Sequence, residues 1–168
     1  MTTSSDKGFP RWLILLGVLT AIGPLSIDMY LPAFPQIERS LGGLPGSVEL
    51  TLASFFIGLT FGQLFYGPLS DRFGRKKPLY LGLAIYTLAS IGAAFAPSIP
   101  ALIVCRFLQG MGGCAGIISP SAIVRDRTTA RESARAFSLL MLVMGLAPIL
   151  APLIGGGLLT QWGWRGIF

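Results

Sequence analysis

The chain has 168 residues, 52% of them hydrophobic and 12% charged, with a formal net charge of +6. An average soluble domain carries about 25% charged residues, so the composition excludes one and indicates an integral membrane protein. The positive balance does not indicate nucleic acid, because the cations sit mainly in short loops between apolar runs, which is a membrane-topology signal.

Five apolar runs approach the ~20 residues that a bilayer crossing requires. They are predicted at Trp12–Phe34, Val48–Ser70, Pro78–Ala96, Ala101–Val124 and Ala136–Thr160, after a tail over residues 1–11. The first run is too long for the apolar stretch of a cleaved signal and contains Pro24 and Asp28, so no signal peptide is expected. A sixth run is expected to open at Trp164–Phe168. Ser47 is placed to cap the second span, with Glu49 in its first turn. Pro78 suits the first turn of the third, and Thr129 with Glu132 reads as a capping box before the fifth. Trp12, Tyr66, Tyr80 and Trp162 fall near span ends, as interfacial aromatics do.

Lysine and arginine segregate sharply between the two sides. The tail has Lys7 and Arg11, the second connection Arg72, Arg75, Lys76 and Lys77, and the fourth Arg125, Arg127, Arg131 and Arg135. Those alternate segments hold ten cations against two, Arg39 and Arg165, in the others. The N-terminus and both basic loops are therefore expected in the cytoplasm.

The spans are rich in residues that permit close approach or bending. The fourth contains Gly110, Gly112, Gly113 and Gly116, and the fifth Pro148, Pro152, Gly155, Gly156 and Gly157. Such residues serve either tight static packing or helices that move against one another. Cys105 and Cys114 lie nine residues apart in one run, about half a turn out of phase, so packing rather than a disulfide is expected.

Chemistry has few carriers. Histidine is absent, and Asp28 is the one carboxylate well inside a span. At ~1.5 Å per residue it lies roughly 24 Å along the first span, about 9 Å short of the outer end, and Arg106 lies about 8 Å from that end of the fourth. Charges at such depth are costly and seek partners. A direct or water-bridged pair is therefore expected, serving either as a proton-coupling element or as a static lock. Asp71 sits at a helix C-terminus, where the dipole disfavours an anion. Either Arg75 or the N-terminus of another helix would compensate it, unless it is simply a solvated loop carboxylate. No phosphate-binding glycine loop, catalytic triad or metal cluster is present, so an enzyme is not expected.

Gly67-Pro-Leu-Ser-Asp71-Arg72-Phe-Gly74-Arg75-Lys76-Lys-Pro-Leu79 resembles the signature of the major facilitator superfamily, G-x-L-x-D-R-x-G-R-K-x-x-L. Arg106-Phe-Leu-Gln109-Gly110 resembles a second motif of that family, and Ala151-Pro152-Leu-Ile-Gly155-Gly156 its antiporter motif, with alanine for the first glycine. Pro24 to Pro35, with Asp28 and Tyr30, is similar to the bicyclomycin-resistance (Bcr/CflA) drug exporters. The resemblance covers essentially the whole chain.

It implies an all-α integral membrane fold and efflux of small amphipathic organic molecules across the inner membrane, driven by the proton gradient with no cofactor. Asp28, Arg106, Tyr30 and Gln109 become candidates for proton coupling and substrate response. Gly67, Asp71, Arg72, Gly74, Arg75 and Lys76 become the cytoplasmic gate, and Pro148, Ala151, Pro152, Gly155 and Gly156 the bending element. The family builds two six-helix halves around a midplane cavity. Residues 12–168 are thus expected to form an incomplete N-terminal half, whose missing partner is the C-terminal half. A nutrient or organic-acid importer of the same family and a non-transporting membrane fragment are the alternatives.

Overall fold

The computed structural model describes residues 11–168, so most of the expected cytoplasmic tail lies outside the described residues. Helix α1 covers Arg11–Asp28; a short 3-10 turn, Leu31–Ala33, joins it to α2, Phe34–Leu41. Then follow α3 (Ser47–Phe73), α4 (Lys76–Ala94), α5 (Ile99–Arg127), α6 (Ala130–Trp162) and a 3-10 turn over Trp164–Ile167. No strand occurs among the described residues.

Among the described residues, four stretches are long and apolar enough to cross a membrane: Trp12–Leu41 including its break, Ser47–Phe73, Ile99–Arg127 and Ala130–Trp162. The expected third span corresponds to α4, which has 19 residues and opens on two lysines; it is not among the four. It packs lengthwise on α5 all the same.

Several local expectations change. Gly46, with φ of 85°, is the N-cap of α3, and Ser47 is the first helical residue, its hydroxyl unpartnered among the described residues. Here a left-handed glycine, tied by its N–H to Glu38 Oε1 at 3.1 Å, turns the chain in place of a side-chain cap. Tyr66 is buried against Cys114 and Ala115 instead of lying at an interface, whereas Tyr80 and Trp162 are exposed. The residues expected to open a sixth span form the final 3-10 turn. Trp164 is buried there and its N–H donates to Gln36 Oε1 at 2.9 Å. The capping box of Thr129 and Glu132 is present, and both cysteines are free.

The hub is α5, which meets α1, α3, α4 and α6. Lipid tails are as apolar as leucine, so helices in a membrane associate through close packing, and the glycines of α5 supply it. A Cβ on Gly110 would collide with the carbonyl of Phe55 on α3, and one on Gly58 of α3 with that of Phe107. Gly112 meets the backbone of Gly82 and Tyr86 on α4, and Gly116 lies 3.1 Å, measured from a built Cβ, from the carbonyl of Leu19 on α1. One helix thus presents a bare backbone to three neighbours. Replacing Gly110 with alanine in the complete protein is expected to destabilise it by about 1–3 kcal/mol, because the obstacle is backbone. Thermal unfolding in detergent measures this, with Gly145→Ala, where a built Cβ meets nothing within 4 Å, as the control.

Candidate functional site

The α1 helix stops in the middle of its 30-residue apolar stretch. Pro32 and Pro35 lack the N–H groups that would continue it. The N–H of Tyr30 reaches Ile27 O at 3.3 Å, and that of Met29 reaches Leu25 O at 3.1 Å. The carbonyl of Ser26 is left without the helical donor it would otherwise have. Interrupted backbone at membrane depth persists only where protein re-satisfies it, and Arg106 does so.

Arg106 lies about two turns into α5 and is 1% exposed. Its Nη2 donates to Ser26 O at 3.0 Å, and its Nη1 to Gln109 Oε1 at 2.8 Å. The guanidinium carbon stands 4.2 Å from the ring centroid of Tyr30, 4.6 Å from that of Phe55 and 5.6 Å from that of Phe168. A cation at the carbonyl end of a helix is favoured by the dipole. A desolvated cation–ring contact contributes about 2 kcal/mol or more. The charge is therefore held without a carboxylate. Its Nε makes no hydrogen bond among the described residues.

Three of the four expected coupling residues, Tyr30, Arg106 and Gln109, come together here. Asp28 does not join them directly. It is the last residue of α1 and half-buried; no ion pair joins it to Arg106, and the ion pairs among the described residues all involve Arg75. The expected direct pair is thus corrected. Ser26 and Asp28 are two residues apart, about 200° around a helix, so with the Ser26 side chain turned to Tyr86 of α4 that of Asp28 lies on the opposite side of α1. The matched depth does hold, since Arg106 touches both Ser26 and Tyr30 around Asp28.

Sequence reasoning missed several partners. Tyr86 and Ser90 of α4 bond to Ser26 Oγ and Gln109 Nε2, each at 2.7 Å. The phenol of Tyr30 bonds to Thr51 Oγ1 at 2.7 Å. Neutral hydroxyls in apolar helices carry no charge or motif to mark them; spacing to Arg106 on another helix was the missing information.

About 30 Å further along α5 lies the basic end. Gly74, with φ of 79°, ends α3 in a conformation that favours glycine. Arg75 then bridges two carboxylates, with Nη1 to Asp71 Oδ1 and Nε to Asp126 Oδ2, both at 2.8 Å, and adds Ser70 Oγ at 3.1 Å. The hydrogen bond to Asp126, more than that to Asp71, raises the guanidinium above its ordinary pKa. Asp71 at its unfavourable helix end is thus compensated by Arg75, and Asp126, at the end of α5, is the second acid that the sequence reading did not single out. Arg72 stacks over Phe73 at 5.4 Å, and Gly67 and Lys76 stand outside the bridge.

On α6, Ala147, Ala151 and Gly155 are buried at four-residue spacing. A Cβ on Gly155 would meet the backbone of Met29, immediately after Asp28. Pro152 is half-buried, Pro148 is exposed, and Gly156 has open space around it. Alanine at 151 is accommodated fully inside the packed stripe.

Residues 14–168 match the Major Facilitator Superfamily. The chain is 47% identical over 145 residues to an uncharacterized MFS-type transporter, YdgK, of Bacillus subtilis (strain 168), covering 86% of this chain and 36% of that protein. It is 37% identical over 157 residues to a bicyclomycin resistance protein homolog of Haemophilus influenzae (strain ATCC 51907 / DSM 11121 / KW20 / Rd), with 94% and 39% covered. It is 35% identical over 156 residues to multidrug resistance protein D of Escherichia coli (strain K12), with 93% and 40% covered. The chain spans well under half the length of these relatives. A multi-pass helical bundle with a charge buried at a broken helix, matched along nearly its whole length, is a member of the Major Facilitator Superfamily.

Proposed function

We propose that this chain forms part of a proton-coupled exporter of small amphipathic organic molecules in the cytoplasmic membrane, with its N-terminus and basic loops in the cytoplasm. The rest of the exporter would be the second half that completes the pathway. The observation that carries the reading is Asp28: a deep carboxylate at a helix break, beside the packed stripe of α6, with no salt bridge to the cation at its own level. A carboxylate left free of a permanent partner is able to exchange a proton with the two sides in turn. The names of the resistance-protein relatives support the direction of transport and the substrate class. The ten-to-two segregation of Lys and Arg supports the orientation.

The test uses cells expressing the complete gene. They are expected to accumulate several-fold less ethidium than cells with an empty vector, and a protonophore is expected to erase the difference. Equal accumulation in the two strains for ethidium and for a panel of antibiotics would overturn the reading. Efflux that survives the protonophore would overturn its proton coupling.

A further inference from the structure

Arg106, Gln109 and Ser90 are all at least 95% buried, at 1%, 2% and 5% exposure. Together with Tyr86 and Ser26 they close a ring of hydrogen bonds through α5, α4 and α1. We propose that Ser90 and Tyr86, which lie outside every motif discussed above, are positioning residues that fix the direction in which Arg106 is held.

The direction follows from counting protons. A serine hydroxyl has one proton and two lone pairs. That of Ser90 is committed to the carbonyl of Tyr86 at 2.9 Å, so toward Gln109 it can only accept. The Gln109 amide must therefore turn its Nε2 to Ser90, at 2.7 Å, and its Oε1 to Arg106, at 2.8 Å. The opposite amide orientation would set an NH2 group against the guanidinium. Ser90 thus holds, from the far side of the amide, the orientation that the donor-only guanidinium also requires.

Tyr86 acts on the other arm by the same logic. The Ser26 hydroxyl is committed to Ile22 O at 2.6 Å, so the phenol of Tyr86 is the donor in its 2.7 Å contact with Ser26. The carbonyl of that same Ser26 receives Arg106 Nη2. Tyr86 therefore anchors the residue whose carbonyl receives the cation near the end of α1, while its own carbonyl anchors Ser90. Room for its ring is provided by Gly113, where a built Cβ would lie 3.3 Å from a ring carbon. The consequence is that α4, which contributes no charge to the site, sets the relation between the α1 break and the α5 cation.

A transport role for this ring rests on the exporter reading, but its physical coupling does not, and the experiment separates them. In the complete protein, Ser90→Ala and Tyr86→Phe are each expected to slow ethidium efflux about fivefold to tenfold at normal membrane level, with Ser90→Thr close to wild type because the hydroxyl is retained. In parallel, a double-mutant cycle of Ser90→Ala with Arg106→Met is read by thermal unfolding in detergent. The Ser90→Ala loss in melting temperature is expected to fall by at least half once the cation is gone, since Gln109 then needs no fixed orientation. Equal losses in the two backgrounds, or a Ser90→Thr as poor as Ser90→Ala, would overturn the proposal. If the wild type itself exports nothing, the exporter reading fails while the thermal cycle still decides the positioning.

Discussion

Asp28→Asn in the complete protein is expected to lower proton-driven efflux more than tenfold, to the level of cells lacking the gene, with an unchanged amount of protein in the membrane. Asparagine keeps the shape and removes the exchangeable proton, and the spans of this chain have no histidine to take it over. Folding should be spared for a structural reason. Asp28 is the last residue of α1, half-buried and outside the Arg106 clamp, so the substitution breaks none of the contacts that hold that cation. Efflux assays at neutral pH alongside immunoblots of membranes check both halves of the expectation. Wild-type efflux by the asparagine variant would end the assignment of Asp28 as the coupling group.

Arg106→Ala is expected to be worse in a different way, by losing the fold as well as the function. Truncating so large a buried side chain leaves a cavity and strands a helix-end carbonyl. A buried acceptor without a donor costs about 1–3 kcal/mol, and large-to-small substitution in a packed interior typically about 2–5 kcal/mol. Arg106→Lys keeps the charge but not the fork, so it can bond to Ser26 O or to Gln109 Oε1 less well than a planar group that reaches both. The expected order for membrane level and for efflux is wild type, then lysine, then alanine, with lysine retaining a measurable fraction. Equal behaviour of the two variants would overturn the clamp. Because Asp28 is not the ion-pair partner, Asp28→Asn combined with Arg106→Ala should not restore stability. Restoration would indicate a charge pair formed in another state of the protein.

These two expectations separate roles that the sequence had merged. Depth along the spans placed Asp28 and Arg106 at one level, and that is where they are. Pairing them assumed that equal depth means facing sides. Whether two groups face each other depends on how each helix is rotated about its axis. The helices here are apolar nearly all round, as buried membrane helices are, so no amphipathic stripe in the sequence reports that rotation. The break in α1 was only partly legible. Pro24, Pro32 and Pro35 permit bending in the first run, but which carbonyl would be orphaned, and which side chain would reach it, depended on α5.

The basic end shows the opposite balance. Asp71 and Arg75 are four residues apart, a local relation, and Arg75 was one of the partners that the helix dipole and the spacing suggested for Asp71. Asp126 lies 51 residues from Arg75 and joins the bridge because α3 and α5 run side by side. The glycines divide in the same manner. Their abundance in the fourth run signalled close approach, while the structure assigns Gly110 to α3, Gly112 to α4 and Gly116 to α1.

By itself, the sequence determined the class, the run of apolar helices, the segregation of cations and the identity of the two deep charges. Each of these is a matter of composition or of spacing along one chain, and hydrophobic length and charge act locally. The tertiary structure alone decided that Arg106 is held by a helix end, an amide and three rings in place of a carboxylate. It also decided that α4 reaches the site through Tyr86 and Ser90, and that Asp28 stands apart. Those outcomes depend on helix rotation and stagger, which small residues set where backbones touch, and no single helix carries that information.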